Sequence, residues 1–374
     1  MKVWSLIPML RYEEGHPYQY NLAVGKACGL NGWKHEALVP RSCCIENLPE
    51  SWLKVLGNDR ISEKHGVVLW KTPLSKLKIF LKVFFPLCKA LSKVKYEKGR
   101  KVIFLEQFFV PQMVGFTLAM CLMRPKAEVW FVHRYSPEQL GFKAKIYKCM
   151  HQLLICFLGK EKIKLFADSE LLAKSQREFF RQEVIILPVP HTDYCNGLVK
   201  EKKEKDTLLW WPGGYTTVAK GLKVIQDLVK RDLKGNFKLV VADSAREHLK
   251  EYVVPIQFIS SALSRKEYMK WMNKTDLVLL PYDPEIYHFA TSGIFVEAIV
   301  AGKIPVVTDG TWMAYELKRF QLQDFIVDWH RKDLFEHFQE ILADKRLKIL
   351  LEKMQKTYGD YHSIQGFADI ISKV

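Results

Sequence analysis

Residues 277 to 317 read LVLLPYDPEIYHFATSGIFVEAIVAGKIPVVTDGTWMAYEL. Leu277 to Leu280 is an apolar run without alternation, which is typical of a parallel strand covered on both faces. A helix is predicted from Ile294 to Ala301, and a second strand from Ile304 to Val307. Such a unit is a right-handed crossover. The loop before its helix, residues 283–293, is therefore predicted at the carboxyl edge of a sheet, where open α/β folds bind ligands.

The beginning of this helix has the chemistry of a nucleotide site. First-turn amides have no partner within a helix, so Ser292 and Gly293 can cradle a phosphate. Glu297 follows one turn later, where it repels phosphate but can accept hydrogen bonds from the vicinal hydroxyls of a ribose. A site that binds phosphate through backbone amides and ribose through a carboxylate would fit a nucleotide. The same residues also fit a βαβ unit without any ligand, because an acid near a helix N-terminus is favourable to the helix dipole.

The same unit carries a longer pattern, made of Ser292-Gly293, Glu297-Ala298, Gly302, Pro305-Val306-Val307 and Gly310-Thr311-Trp312. This pattern resembles the donor-site signature of GT-B retaining glycosyltransferases of the "glycosyl transferases group 1" (family-4-like) type, which use nucleotide-diphosphate sugars. The resemblance implies that Ser292 and Gly293 contact the diphosphate and that Glu297 holds the ribose.

The pattern departs from the family at Phe289, where most members carry a second Glu that faces the donor sugar. Either His288, Thr291 or backbone groups hold the sugar instead, or sugar transfer is impaired. The resemblance also assigns the nucleotide base to backbone groups of a loop that includes Ser260.

A second glycine-containing segment follows the strand predicted at Thr207 to Trp211. Gly213 and Gly214 let the backbone approach a ligand closely, and Lys220 brings a cation to the same edge. The segment is not a Walker loop, because no Gly-Lys-Ser/Thr follows. The family form has an Arg between the glycines and a Lys-Gly pair; Lys220 matches, whereas Tyr215 stands near the place of the Arg.

The first thirty residues predict a Rossmann-like half. Lys2 to Met9 is predicted as a strand and Tyr18 to Asn31 as a helix, joined by a loop that ends in Gly15 and His16. The fingerprint GxGxxG is absent. In the resembled family this loop lies over the cleft against donor and acceptor, which makes Gly15 and His16 candidate donor-binding residues; an ordinary turn glycine is the other interpretation of Gly15.

His133 directly follows the strand predicted from Glu128 to Val132. A histidine at the carboxyl end of a buried strand can donate a hydrogen bond to a sugar hydroxyl or a phosphate. His133 matches the strand-end histidine of the family, which lies near the donor sugar, so His133 and Lys220 are the predicted catalytic residues. Ser169 is interpreted as a helix cap.

Strands alternate with helices in both halves, which predicts an α/β protein with parallel sheets flanked by helices. By resemblance, two Rossmann-like domains face each other across a cleft (GT-B). The expected domains are 1–190, N-terminal and acceptor-side; 191–206, a hinge; 207–356, nucleotide-sugar-binding; and 357–374, a helical segment crossing back to the N-terminal domain. Further predicted strands are 35–39, 66–70, 102–105, 164–167, 185–190, 238–242 and 256–259, and a long helix is predicted at 334–356.

Composition indicates a folded protein. The 374 residues are 48% hydrophobic and 13% aromatic, enough to bury a large core. No apolar run of membrane-spanning length occurs, and the N-terminus passes into charged sequence too early for a signal peptide, so we expect a cytoplasmic protein. The eight cysteines show no CxxC spacing, which argues against a zinc site or a disulfide framework.

Much of the formal charge of +16 lies between Lys71 and Lys101, where Lys and Arg alternate with large apolar residues. Pro86 is expected to break the helix there. Basic charge with large apolar residues suits an anionic membrane surface, and peripheral attachment to the inner face of a membrane is one interpretation. A solvated helix over the core is a second. Nucleic acid is a weaker third, because no recognised binding motif accompanies the charge.

Departure of a nucleoside diphosphate builds negative charge that Lys220 and the helix N-terminus can stabilise without a metal, and the chain has no DxD triplet. We therefore predict a retaining, metal-independent glycosyltransferase of hexosyltransferase type. It would move a sugar from a nucleotide-diphosphate donor to a glycan or lipid-linked acceptor without a resident cofactor. Alternatives are a catalytically weak nucleotide-sugar-binding relative, favoured by Phe289 and Tyr215, a basic nucleic-acid-binding protein, favoured by charge alone, and a sugar epimerase.

Overall fold

The computed structural model describes residues 1–13, 16–57, 73–106, 108–192, 206–214, 216–232 and 236–374. They form two compact units: unit 1 is Met1–Pro188 with Phe367–Val374, and unit 2 is Val189–Gly366. Gly15, Tyr215, the strand predicted at 66–70 and most of the predicted hinge lie outside the described residues.

Unit 1 contains a seven-stranded parallel sheet of order β3-β2-β1-β4-β5-β6-β7. Its strands are β1 (Lys2–Leu6), β2 (Lys34–Pro40), β3 (Trp52–Leu56), β4 (Lys101–Leu105), β5 (Glu128–Val132), β6 (Ile163–Ala167) and β7 (Val184–Ile186). Its helices are α1 (His16–Leu30), α2 (Pro73–Tyr96), α3 (Val110–Met123), α4 (Pro137–Leu140), α5 (Phe142–Leu158) and α6 (Glu170–Phe180). Right-handed crossovers cover both faces of the sheet with helices, and β4 and β5 are accordingly buried at every position.

The edge strand β3 was not predicted from the sequence. It is only five residues long, and its buried positions are confined to its ends, Trp52 and Leu56. Lys54 lies at its centre and donates hydrogen bonds to the carbonyl oxygens of Cys43, at 2.8 Å, and Ile45, at 3.3 Å. An edge strand needs a partner on one side only, so it can carry a polar residue that a central strand would exclude.

The predicted break of α2 at Pro86 is wrong, because the helix continues through it. Proline has no N–H, which leaves the carbonyl of Lys82 without its helical partner. Gly57, just after β3, lies against this carbonyl so closely that a Cβ would overlap the oxygen. Tertiary packing overrides the cost of a proline, about 3 kcal/mol in a helix interior. The buried face of α2 consists of Val83, Leu87, Ala90, Leu91 and Val94.

Unit 2 contains a five-stranded parallel sheet of order β10-β9-β8-β11-β12. The strands are β8 (Thr207–Trp211), β9 (Phe237–Ala242), β10 (Ile256–Ile259), β11 (Leu277–Leu280) and β12 (Ile304–Val307). The helices are α7 (Leu222–Leu228), α8 (Arg265–Lys274), α9 (Pro284–Tyr287), α10 (Gly293–Val300), α11 (Trp312–Arg319), α12 (Leu334–Ala343) and α13 (Lys345–Tyr361), followed by α14 (Ile364–Ile371). The chain reverses its direction of winding between β8 and β11, so the loops after these strands flank the switch point of the sheet.

The crossover predicted from residues 277–317 is confirmed. Both strands have the predicted bounds, and the helix begins one residue before the predicted position. Gly302 follows this helix with a φ of 67°, a left-handed conformation that glycine adopts without strain.

The prediction of a single long helix at 334–356 is wrong, because this segment forms two helices, α12 and α13. Asp344 separates them with an extended backbone, and its carboxylate accepts hydrogen bonds from the amides of Arg346, at 2.7 Å, and Leu347, at 3.2 Å. An Asp that caps a new helix in this way ends the previous one.

Candidate functional site

The N-terminus of α10 has the geometry of an anion site. Ser292 is the N-cap, and its hydroxyl accepts a hydrogen bond of 3.3 Å from the amide of Phe295. Ser292 is buried, whereas a Cβ at Gly293 would meet no atom within 4 Å. The first helical residue therefore borders open space, and amides of a first turn point toward such space.

Glu297 is buried one turn further along α10 and is held from α8. Its Oε2 accepts a hydrogen bond of 2.6 Å from the hydroxyl of Tyr268, and its Oε1 accepts one of 3.2 Å from Arg265. The Nε2 of His191 lies 3.5 Å from the same Oε1. These partners orient the Glu297 carboxylate.

The sequence analysis did not assign Arg265 and Tyr268 to the candidate site, although both contact Glu297. Ser264 caps α8 through a capping box with Glu267, which fixes the first turn that carries both side chains. Burial lowers the pKa of Arg265, although Glu297 acts in the opposite direction. Arg265 and Tyr268 are three residues apart, and this spacing was the sequence signal that both side chains lie on one face of a helix.

His191 was expected in the hinge, but the structure includes it in unit 2. Its side chain is buried, and its carbonyl oxygen accepts a hydrogen bond of 3.2 Å from Arg265. The neighbouring Val189 and Thr192 donate hydrogen bonds to His362, which anchors this segment within unit 2.

The loops after β8, β9 and β10 are joined at their tips. Gly214 passes so close to the carbonyl oxygen of Ser261 that a Cβ would overlap it. Ser244 donates its hydroxyl to the carbonyl of Gly214, at 2.9 Å, and its amide to the hydroxyl of Ser261, at 2.8 Å. Gly213 has a φ of 140°, and Ser260 forms a tight turn with Ala262 through its hydroxyl. The predicted residues Gly213, Gly214 and Ser260 thus occupy one loop cluster.

Lys220 lies at the switch point of the sheet. The following residue, Gly221, has a φ of 85° and packs against the Pro281 carbonyl, where a Cβ would overlap the oxygen. The amide of Asp283 donates to the carbonyl of Ala219, at 3.0 Å. These contacts fix the backbone of Lys220 beside the start of the loop that leads to α10. Burial lowers the pKa of Lys220.

The loop from β11 to α10 contains the short helix α9, which was not predicted. Asp283 caps α9 by accepting a hydrogen bond of 2.9 Å from the amide of Glu285. His288 follows, with its Nδ1 at 3.0 Å from the carbonyl oxygen of Gly310 and its ring 4.6 Å from the ring of Phe289. Thr291 is half-buried next to the N-cap of α10. Thr291 therefore borders the same helix N-terminus as Gly293, whereas His288 contacts the loop after β12.

His133 occupies a different environment in unit 1. Its Nε2 lies 2.9 Å from the Nε2 of His151, and both rings are buried. Burial lowers the pKa of His133 to about 3, so this imidazole is neutral at pH 7. Four aromatic rings pack around it, those of Phe108, Phe131, Tyr147 and Phe180. The structure shows a packing role for His133, and its catalytic role stays a prediction.

His16 belongs to a charged cluster at the carboxyl edge of the unit 1 sheet. Its Nε2 lies 2.8 Å from Oε1 of Glu106, the residue after β4. Arg134 contacts Glu106 at 2.7 Å and Asp168 at 2.7 Å. Burial alone would raise the pKa of Glu106, but Arg134 and His16 lower it to about 2. The carboxylates in turn raise the pKa of Arg134 against the effect of its burial.

The sequence analysis did not assign this cluster to a site. A signal was nevertheless present, because Glu106 and Asp168 each directly follow a buried apolar strand and Arg134 follows another by two residues. Carboxyl ends of neighbouring parallel strands meet at one edge of a sheet.

Within the described part of the chain, no group of three or more His, Cys, Asp or Glu side chains could hold a metal ion. The described helices include none whose length and apolarity would let it cross a membrane. Unit 1 also has a cavity of about 300 Å³ beside α5 and the end of α6. It is lined by Lys148, Gln152, Ile155, Lys160, Phe180, Arg181 and Gln182.

Comparison with family models and with curated proteins found no match. Solved structures, in contrast, are similar over the whole chain. A glycosyltransferase of Rickettsia africae is 14% identical with a TM-score of 0.66, and the match covers 100% of this chain and 97% of that chain. Sucrose-phosphate synthase of Thermosynechococcus elongatus is 12% identical with a TM-score of 0.63, covering 100% and 97%. HepE of Anabaena, solved in complex with UDP-glucose, is 11% identical with a TM-score of 0.62, covering 100% of both chains.

At sequence identities this low, structural similarity establishes the fold but does not assign roles to single residues. Two units, each with a parallel sheet flanked by helices, agree with these neighbours along their full length. The predicted α/β fold class is therefore confirmed, and the chain has the GT-B fold of the glycosyltransferases.

Proposed function

We propose that this protein is a glycosyltransferase that uses a nucleotide-diphosphate sugar. The observation that carries the proposal is the arrangement at α10, where an open helix N-terminus and an oriented buried carboxylate lie one turn apart. The fold supports the same conclusion, because HepE of Anabaena, one of the similar structures, was solved with UDP-glucose.

The donor would be held by the loops at the carboxyl edge of the unit 2 sheet. The diphosphate would bind the amides at Ser292 and Gly293 and the ammonium of Lys220. The ribose would bind Glu297, because a carboxylate can accept hydrogen bonds from vicinal hydroxyls. The loop of Ser260 would contact the base. The sugar would lie near His288 and Thr291, in the place that the resembled family gives to a second Glu.

The reaction would need charge stabilisation on the leaving diphosphate. Lys220 and the first-turn amides of α10 are fixed before the reaction, so they would stabilise the new charge without reorganisation. The retaining and metal-independent course, the lack of a resident cofactor, and transfer to a glycan or lipid-linked acceptor are parts of this proposal. Peripheral attachment to an anionic membrane through Lys71–Lys101 is another part.

Calorimetry with UDP-, GDP- and ADP-sugars would test the donor site. Glu297→Gln and Lys220→Ala each remove a charge-assisted hydrogen bond worth about 1.5–3 kcal/mol, so affinity should fall roughly ten- to hundredfold. Glu340→Gln and Lys223→Ala are the matched controls, because both side chains are exposed elsewhere in unit 2. Full donor affinity in both site variants would overturn the assignment.

Product analysis would test the course of the reaction. A retaining enzyme gives a product with the anomeric configuration of the donor sugar, which NMR of the fresh product reports. Activity should survive chelation by EDTA. Inversion at the anomeric carbon, or loss of activity on chelation that added Mg²⁺ or Mn²⁺ restores, would contradict the corresponding part of the proposal.

A catalytically weak nucleotide-sugar-binding relative is the second candidate, and Phe289 favours it. Its ring packs against His288, in the position where a carboxylate would face the sugar. Transfer and hydrolysis assays with a panel of donors would separate the two. Tight donor binding without turnover, combined with a gain of turnover in Phe289→Glu, would favour the second candidate.

A further inference from the structure

The outward side of α3 is apolar and carries no charge. The whole helix, VPQMVGFTLAMCLM, contains no charged residue. Leu118 and Leu122 lie four positions apart on one face and are 38% and 65% exposed, while Met113, Phe116 and Met120 are buried on the other. A solvated surface helix normally places charged residues on its outer face. Exposed leucines in a helix without charges therefore indicate contact with something other than water.

The neighbouring helix α2 extends this apolar surface. Gly115 of α3 packs closely against Val83 of α2, so the two helices lie side by side. Leu77, Leu81 and Phe85 are all exposed on α2. Their spacing of four residues places them in one stripe on the helix, away from the buried face that begins at Val83.

A row of lysines accompanies that stripe. Lys82, Lys89 and Lys93 are exposed, and their spacing of seven and then four residues places them on one side of α2. At 100° per residue this side adjoins the Leu77–Phe85 stripe. Among the described residues none of these three lysines forms an ion pair with an acid. Long lysine stems can lie along apolar surface while their ammonium groups reach anions.

Helix α5 adds the same chemistry on the other side of α3, against which it packs. Phe142 and Phe157 are 75% and 48% exposed. Lys143 and Lys145 are exposed beside Phe142, and the guanidinium of Arg124 lies 6.0 Å from the centre of the Phe157 ring. Aromatic rings with neighbouring cations are typical of residues at a membrane–water interface.

We propose that the outward sides of α2, α3 and α5, which we call the three-helix face, dock on the surface of an anionic phospholipid bilayer. The leucine and phenylalanine side chains enter the interface, and the lysines of α2 and α5 contact lipid phosphates. This assignment rests on the membrane attachment proposed above for Lys71–Lys101 and extends it to two further helices. It involves unit 1 only and does not depend on the donor site of unit 2.

Charge selects the membrane among the candidate occupants. A second copy of the chain would bring two lysine-rich faces together, and like charges oppose that association. Nucleic acid would satisfy the lysines but would leave Leu118, Leu122 and Phe85 exposed, because its phosphate backbone offers no apolar phase. An anionic bilayer matches both the positive charge and the apolar surface.

Co-sedimentation of the full chain with vesicles tests the proposal, using phosphatidylcholine alone and an equimolar mixture with phosphatidylglycerol. Binding is expected only with the anionic mixture and should weaken as salt is raised. Lys82→Gln combined with Lys89→Gln should lower the partition coefficient by about tenfold or more, since each lysine near an anionic surface contributes about 1 kcal/mol. Leu118→Glu combined with Leu122→Glu should abolish binding.

Matched controls lie on α13 of unit 2. Ile349 is 66% exposed, nearly the same as Leu122, so Ile349→Glu makes the same change on another surface. Lys345→Gln combined with Lys348→Gln removes two exposed lysines there. Both controls should bind vesicles like the parent protein. Donor affinity and the midpoint of thermal unfolding should stay unchanged in every variant, which separates a failure here from a failure of the donor site.

Three outcomes would overturn the proposal. The first is absence of binding to the anionic vesicles by the parent protein. The second is parental binding by the Leu118→Glu, Leu122→Glu variant. The third is a concentration-dependent dimer of the parent protein without lipid that this variant abolishes, which would assign the three-helix face to a second copy of the chain.

Discussion

Glu106 in unit 1 and Glu297 in unit 2 are both buried carboxylates held by an arginine near the carboxyl edge of a parallel sheet, yet their surroundings differ. Glu106 shares Arg134 with a second carboxylate, Asp168, and also contacts His16. Glu297 is held by Arg265, by the neutral hydroxyl of Tyr268 and by His191, one turn from the open space at Gly293. The first arrangement balances charge within the protein, and the second leaves room for a ligand.

The difference shows that a buried acid–arginine pair does not by itself identify a binding site. What distinguishes Glu297 is the combination with a helix N-terminus that borders open space. Variants at each carboxylate and its partners can break or sharpen this distinction.

The largest effect is expected for Glu106→Gln. This change leaves the half-buried Arg134 with Asp168 as its remaining carboxylate, and breaking an ion pair of a buried carboxylate costs roughly 3–5 kcal/mol. Urea titration should show this loss in the free energy of unfolding of unit 1, while donor affinity at unit 2 stays at the parental value. The exposed Glu178→Gln on α6 is the control. Unchanged stability in Glu106→Gln would remove the structural role assigned to this cluster.

The second effect concerns pH and the His133–His151 pair. Burial lowers the pKa of His133 to about 3 and also lowers the pKa of His151. The unfolded chain therefore binds protons first, so stability is complete above the unfolded pKa of about 6.5 and falls as pH decreases toward about 3. Between pH 6.5 and pH 5 the loss should be about 1.5–2 kcal/mol for His133, and His151 should act in the same direction.

Replacing both histidines by leucine should flatten this part of the stability profile, measured by thermal unfolding between pH 7 and pH 5. His330→Leu, in an exposed loop of unit 2, should leave the profile unchanged. A profile of the double variant as steep as that of the parent would show that the pair is not buried and neutral in solution.

A smaller effect is expected for Tyr268→Phe, which removes one of the hydrogen bonds that orient Glu297. A hydrogen bond to a charged group contributes about 1.5–3 kcal/mol, but the carboxylate keeps Arg265, so donor affinity should fall by about tenfold or less. Tyr252→Phe is the control, because that side chain is exposed in unit 2. Calorimetry that finds a larger loss in Tyr268→Phe than in Glu297→Gln would reverse the assigned roles.

The smallest effect on stability is expected for Gly293→Ala. A Cβ at this position meets nothing within 4 Å, and its φ is not positive, so the free energy of unfolding should change by at most about 0.5 kcal/mol. Donor affinity should nevertheless decrease, because the methyl group would occupy the space beside the first-turn amides. Gly302→Ala should lower the free energy of unfolding and leave donor affinity unchanged, since a φ of 67° penalises alanine whether or not a donor is bound. Unchanged donor affinity in Gly293→Ala would place the diphosphate elsewhere.

The strands β8, β10, β11 and β12 were predicted with their observed bounds. β8, β11 and β12 consist almost entirely of apolar residues, which is typical of strands covered on both faces. β10 lies at the edge of the sheet and contains one polar residue, Gln257. Where tertiary contacts override local preference, prediction failed: Pro86 stays inside α2 because a glycine from another segment lies against the freed carbonyl. The edge strand β3 was not predicted, because it lacks the apolar pattern of a central strand.

In the candidate site, too, residues that are close in sequence could be predicted, whereas residues that only the fold brings together could not. Ser292, Gly293 and Glu297 could be placed on one helix because their spacing is local and helical. Arg265 and Tyr268 could not be assigned to Glu297, because they reach it from 32 and 29 residues away along the chain. The packing of α8 against α10 has no short-range signature, so only the fold brings these side chains together.

Arg265 donates from one guanidinium nitrogen to both the Glu297 carboxylate and the His191 carbonyl. A ligand that competes for this arginine therefore also alters how firmly residues 189–192 are fastened. Thermodynamic linkage makes the effect reciprocal: a change at His191 that frees or restrains Arg265 must alter ligand affinity by the factor with which the ligand alters the His191 contact. Substitutions in a segment without any ligand contact could thus tune how tightly this protein binds.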